Sequence, residues 1–161
     1  MSGKIGSFGV KFRRHDPSAI IFSRSLEFNV TRDPPLYSEQ VRDHYEHPRN
    51  AGAIDHPSGK AIVRSPVDSD TVLITLRIED GVIADARFKC MGCAVAIACS
   101  SVATEMARGK SVEQAYEVTK QSVADALGGI PEYKMLCSNL APEAIRKAID
   151  DWREKQRVGK S

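Results

Sequence analysis

The sequence reads Phe88-Lys89-Cys90-Met91-Gly92-Cys93 where a strand-like pattern ends and an apolar helix begins, and this helix continues to Ala107. A thiol at Cys93 stands in the first turn of that helix, beside unpaired backbone N–H groups that carry partial positive charge. Such a setting lowers the pKa of a cysteine toward the thiolate, the form that binds metal and attacks sulfur. Gly92 is expected to adopt a backbone conformation closed to other residues. The alternative is a pair of buried structural cysteines, because free cysteine is among the most buried residue types.

Two strands joined by a tight turn precede this junction, and residues 61–63 offer a third, shorter strand. Apolar residues alternate along the first strand of the pair, at Val72, Ile74, Leu76 and Ile78. Asp80-Gly81 is typical of a two-residue hairpin turn. The return strand is predicted to alternate as well, with Asp85, Arg87 and Lys89 facing outward and Ala84, Ala86, Phe88 and Cys90 facing inward. Cys90 is therefore expected to be buried.

Helices are predicted before and after the strands along the chain. Ser38 is a good N-cap for a first helix, which Pro48 ends. After the apolar helix, Ser111 begins a capping box and a further short helix is expected from Ser122 to Leu127. A last helix is predicted to begin near Cys137.

The apolar helix and the last helix are both expected to pack on the sheet. The helix from Cys93 is apolar almost all round, which is typical of a buried helix. Cys99 lies about 120° around its axis from Cys93, so Cys99 is assigned to packing. In the last helix, Pro142 is tolerable only within a first turn. The order of elements predicts an α+β fold, a small three-stranded antiparallel sheet with helices packed on one face.

Composition limits the classes of function. The chain has 161 residues and a net charge of +2, and residues 35–161 carry 17 basic and 18 acidic residues, which argues against nucleic-acid binding. No apolar run reaches the ~20 residues that span a membrane. Four cysteines without a convincing secretory signal favour the cytoplasm, where cysteines more often serve metal or redox chemistry than disulfides. We expect a loosely structured extension at 1–34, a domain at 35–157 and a tail at 158–161.

Three segments in order resemble the NifU/IscU-type iron–sulfur cluster assembly scaffolds. They are Leu36 through Gly52 with its Pro48-Arg49-Asn50, Phe88 through Ser101, and Lys134 through Leu140. The resemblance covers about residues 36–156 and implies the α+β fold of that family. It also implies a scaffold or carrier that has no enzymatic turnover.

The resemblance implies a metal site with two departures from the family pattern. The family binds metal through three cysteines and a nearby aspartate, and Cys93, Cys137 and Asp70 match three of these positions. The first cysteine of the family is replaced here by Asp68, and the histidine before the last cysteine is replaced by Leu136. A carboxylate is a harder ligand than the thiolates that hold iron–sulfur clusters, so Asp68 would favour weak or exchangeable binding. Cys90 is a further thiol that could restore a third thiolate.

Four functional interpretations remain open from the sequence. The first is a scaffold that binds iron or a [2Fe-2S] cluster through Cys93 and Cys137 with Asp70 and Asp68. The second is a zinc-binding sulfur-acceptor adapter, since an Asp/Cys/Cys set suits zinc about as well. The third is a thiol oxidoreductase that uses Cys90 and Cys93, and the fourth is a paralogue that keeps the fold but has lost the site.

The resemblance also implies partners. A cysteine desulfurase is expected, with Cys137 at the position that receives its sulfur. Chaperone recognition is not favoured, because residues 130–134 match the Leu-Pro-Pro-Val-Lys motif of the family only at Pro131 and Lys134. A monomer or a weak homo-oligomer is expected.

Overall fold

The computed structural model describes residues 37–160, so the expectation for residues 1–34 lies outside the described part of the chain. Within that described part, five α-helices and three strands follow one another, with one 3₁₀ turn, Glu132–Lys134, between the last two helices. The helices are α1 (Glu39–Glu46), α2 (Ala94–Ala107), α3 (Val112–Tyr116), α4 (Lys120–Ala126) and α5 (Cys137–Gly159). The strands are β1 (Gly59–Arg64), β2 (Thr71–Glu79) and β3 (Val82–Met91). The three strands form one antiparallel sheet in the order β1-β2-β3, which confirms the predicted α+β architecture.

The central hairpin follows the sequence pattern up to one irregularity. Asp80 and Gly81 both have positive φ, 52° and 74°, as a tight two-residue turn between antiparallel strands requires. The apolar positions of β2 are buried as predicted, and Val72 lies opposite Cys90. Near the turn, however, Arg77 pairs with Asp85 whereas the next residue, Ile78, pairs with Ile83. Residue 84 is therefore an extra residue in β3, which makes a bulge.

Asp85 pairs with the exposed Arg77 and so lies on the predicted outward face, but its side chain is only 9% exposed. The carboxylate accepts from Arg87 Nε at 3.1 Å and lies 3.3 Å from Arg108 Nε. The predicted alternation fails on the turn side of the bulge, where the phase shifts by one residue. Ile83 is fully buried there, whereas Ala84, which was predicted to face inward, is partly exposed.

Helices α2 and α5 cover one face of the sheet. Eleven of the fourteen residues in α2 are buried, including Cys99, in agreement with the packing role assigned to that thiol. Helix α5 lies directly on β1 at Gly59, where an added Cβ would stand 2.0 Å from the carbonyl oxygen of Ala148. A glycine is required there because strand and helix backbones touch. Within residues 37–160, no helix combines the length and apolar character needed to cross a bilayer.

Helix α1 leads into a segment that is hydrogen-bonded to the edge of the sheet. Helix α1 begins at its predicted cap, with the Ser38 hydroxyl accepting from Val41 N at 3.1 Å. Beyond α1, the chain pairs with the free edge of β3. Gly52 N donates to Phe88 O at 2.7 Å and Phe88 N donates to Asn50 O at 3.0 Å. These bonds place the Pro-Arg-Asn loop beside the strand that leads into Cys93.

One helix boundary and the place of one proline differ from the prediction. Helix α4 begins at Lys120 rather than Ser122, because Thr119 is the N-cap and Ser122 completes its capping box from inside the helix. Pro142 is the sixth residue of α5, beyond the first turn. Proline there removes the backbone bond to the carbonyl of residue 138, and its buried ring packs into the core instead.

Candidate metal centre

Three side chains from distant parts of the chain converge at one end of the sheet. Asp70 ends the loop before β2, Cys93 is the N-cap of α2, and Cys137 is the first residue of α5. Their potential ligand atoms all lie within 4.8 Å of one another. The two Sγ atoms are 3.7 Å apart, and Cys137 Sγ lies 3.7 Å from Asp70 Oδ2. The structure therefore brings together three of the residues that the resemblance implied.

Because Gly92 has no side chain, the carboxylate of Asp70 has room to lie beside the two thiols. A Cβ at Gly92 would lie 2.8 Å from Asp70 Cγ and 3.0 Å from Asp70 Oδ1, closer than real contacts allow. Gly92 is not among the glycines with positive φ, so the expectation of a special backbone conformation is wrong. The glycine is needed for space. No sequence pattern signals this contact, because Asp70 and Gly92 meet only across the folded sheet.

The two thiols differ in their ionisation. The pKa of Cys93 is lowered to about 7, first because Cys137 donates a hydrogen bond to it and also because of the Ala96 N–H and the charge of Lys134. Burial and the nearby Asp70 act in the opposite direction. The pKa of Cys137 is raised, by the hydrogen bond to Cys93 and then by burial. In the metal-free protein Cys93 therefore loses its proton before Cys137 does.

Lys134 supplies positive charge beside the thiols. Burial alone would lower the pKa of its ammonium group, but Cys93, Cys137 and Tyr37 together raise it. The lysine comes from the 3₁₀ turn that precedes α5. The sequence placed Lys134 in the last resembling segment and in the chaperone motif but assigned it no role in the site, although its position three residues before Cys137 was the available signal.

Asp68 and Cys90 are not part of the convergent set formed by the described residues. Asp68 is exposed, and its Oδ1 accepts from Asp70 N at 3.1 Å. The Ser65 hydroxyl, and then this Asp70 N–H, lower the pKa of Asp68. Cys90 is 2% exposed and its pKa is raised to about 12, first by burial and then by Asp70 and Cys93. All four cysteines lie within residues 37–160, and each is a free thiol there.

Several apolar residues that neighbour the site in sequence are exposed. Leu136, at the position where the family pattern has a histidine, is 54% exposed and directly precedes Cys137. Three further large apolar residues that neighbour the site in sequence are also exposed: Val67, Met91 and Tyr133. A leucine offers no ligand atom, so this chain has no imidazole at that position.

Comparisons with known proteins agree on the family. The family described as NifU-like N terminal domain matches residues 36–158. The iron–sulfur cluster assembly scaffold protein IscU 1 of Archaeoglobus fulgidus is 48% identical over 120 residues, which cover 74% of this chain and 78% of that protein. The IscU scaffold protein of Escherichia coli K12 is 42% identical over 124 residues, covering 74% and 96%.

A solved structure shows the same fold. The N-terminal part of a nitrogen-fixing NifU-like protein from Brucella abortus superposes with a TM-score of 0.62 at 22% identity, over 74% of this chain and 96% of that one. The family match, the two relatives and the fold cover the same part of the chain. This chain therefore belongs to the NifU-like N-terminal domain family, which includes the IscU-type scaffolds.

Proposed function

We propose that this protein is a scaffold for iron–sulfur cluster assembly, which holds iron or a [2Fe-2S] cluster as cargo on Cys93, Cys137 and Asp70. The observation that carries the proposal is the convergence of these three donors within 4.8 Å. Relatives at 42–48% identity are named as such scaffolds. Two soft thiolates suit an iron–sulfur centre, and the single carboxylate weakens the set. A weak set fits a carrier that must release its cargo.

Sulfur would reach the site from a cysteine desulfurase that carries a persulfide. Cys137 Sγ attacks the outer sulfur of the persulfide, so that an S–S bond forms on Cys137 while the partner's S–S bond breaks. The partner's cysteine leaves as a thiolate. The proton of Cys137 passes to Cys93, whose thiolate lies 3.7 Å away. Lys134 stabilises the negative charge during this exchange.

Anaerobic reconstitution tests the scaffold proposal, with Cys93→Ala as the test variant and Cys99→Ala as its matched control. Both cysteines lie at or in α2, but only Cys93 belongs to the donor set. With ferrous iron and sulfide, the wild-type protein and Cys99→Ala should bind the same amount of metal, and Cys93→Ala should lose most of it. Absorption spectra and metal analysis report the result. Equal losses in both variants, or a folded wild-type protein that binds neither iron nor zinc, would contradict the proposal.

A zinc-holding adapter for the desulfurase is the second candidate. Two thiolates and one carboxylate leave a fourth position open, a ligand number that zinc accepts readily. Zinc in the protein as isolated, without any cluster after reconstitution, would favour this role. The oxidoreductase interpretation has less support, because the Cys90 thiol is buried and its pKa is raised to about 12.

A further inference from the structure

Hydrogen bonds among its own residues hold the backbone of the loop between β1 and β2. Ser65 N donates to Asp70 O at 2.8 Å, and Asp70 N donates to Asp68 Oδ1 at 3.1 Å. The Ser65 hydroxyl accepts from Val67 N at 3.3 Å and is hydrogen-bonded to the Asp68 carboxylate. An aspartate that accepts the N–H two residues ahead forms an Asx turn, which fixes the path of the backbone. Both backbone polar groups of Asp70 are thus held by the loop.

The position of Asp70 matters because its carboxylate has little freedom in the site. The carboxylate lies against Gly92 on one side, and its Oδ2 lies 3.7 Å from Cys137 Sγ on another. A shift of the Asp70 backbone would therefore move the single oxygen donor of the convergent set. Groups that orient a ligand commonly change metal affinity by 10- to 100-fold when they are removed.

We propose that Asp68 is a positioning residue, which places the Asp70 carboxylate in the metal centre and is not itself a ligand. The family pattern would make Asp68 the substitute for a thiolate, but its Oδ1 is already engaged with Asp70 N and its side chain is not in the convergent set. This inference rests on the proposed function, since it assumes that the centre binds metal. The chain then supplies two thiolates and one carboxylate, and any further position on the metal is open to a ligand from outside.

Three substitutions at one exposed position separate positioning from ligation. Asp68→Asn keeps an oxygen that can accept from Asp70 N but removes the anionic ligand, whereas Asp68→Ala removes both. Zinc affinity is measured by competition with a chromophoric chelator in the reduced protein. We expect Asp68→Asn to bind within about twofold of the wild type and Asp68→Ala to bind about tenfold more weakly. Asp68→Cys, which lacks the oxygen acceptor, should resemble Asp68→Ala.

A direct ligand role predicts a different order. If Asp68 bound the metal, Asp68→Asn and Asp68→Ala would lose affinity equally, and Asp68→Cys would bind more tightly than the wild type. Either outcome would overturn the proposal. Because Asp68 is exposed, all three variants should melt near the wild-type temperature.

Amide hydrogen exchange gives a readout that needs no metal. In the metal-free protein, the Asp70 amide should exchange faster in Asp68→Ala than in the wild type, and Asp68→Asn should retain the protection. Unchanged exchange in Asp68→Ala would overturn the positioning role. A wild-type protein that binds no metal but shows this exchange pattern would instead contradict the proposed function and leave the loop mechanism standing.

Discussion

Cys93 and Cys137 each alter the ionisation of the other. The hydrogen bond from Cys137 favours the Cys93 thiolate, and that thiolate then raises the pKa of Cys137. The start of α2 contributes as well, since the backbone N–H of Ala96 lowers the pKa of Cys93. A metal ion with positive charge would displace the proton of Cys137, so binding should release it.

The titration of Cys93 can be measured directly. With a pKa of about 7, its alkylation by iodoacetamide in the metal-free protein should reach half of its maximal rate near pH 7. Cys137→Ala removes the hydrogen-bond donor, so the midpoint should move up toward the usual value of about 8.5. Mass spectrometry identifies the modified residue, with buried Cys90 and Cys99 as internal controls that should react slowly. The same midpoint in both proteins would show that Cys137 is not the cause of the low pKa.

At the scale of elements, regular patterns were predictable and contacts between elements were not. Alternation along β2 and the Asp80-Gly81 turn predicted the hairpin, because both signals lie within a few residues of chain. The bulge at residue 84 could not be predicted, since it has no glycine or other local marker. The burial of Asp85 could not be predicted either, since it depends on a contact between elements. Its counter-ion Arg108 also comes from the end of α2, far along the sequence.

The contact between β1 and α5 gives a sharp test of packing. Alanine at Gly59 would place a Cβ 2.0 Å from the Ala148 carbonyl oxygen and 3.1 Å from Trp152 Cβ, so strand and helix must separate. We expect Gly59→Ala to lower the free energy of unfolding by roughly 3 kcal/mol, as measured by urea denaturation. Gly159→Ala is the control, because nothing lies within 4 Å of a Cβ at the end of α5. A stability loss no larger than that of the control would mean that β1 and α5 do not approach this closely.

For the whole molecule, the resemblance predicted the donor set more completely than local chemistry did. Cys93 has a local signal at a helix start, whereas nothing in the sequence around Asp70 or Cys137 shows that they meet. Their contact arises only when the β1–β2 loop, the start of α2 and the start of α5 are brought to the same end of the sheet. Leu136 shows where the resemblance fails. It stands at the position where the family pattern has a histidine, but its exposed side chain carries no ligand atom.

Metal binding should stabilise the entire domain, since the donors belong to segments far apart in the chain. Cys93 and Cys137 are 44 residues apart, and Asp70 and Cys137 are 67 apart. Unfolding separates them, so an ion bound only by the folded state at 100 times its Kd adds about 2.7 kcal/mol of stability. For a domain of this size we expect zinc to raise Tm by roughly 5–10 °C, and a chelator should reverse the shift. Calorimetry should show no shift for Cys93→Ala and the full shift for Cys99→Ala. An equal rise in Cys93→Ala would place the bound metal elsewhere on the molecule.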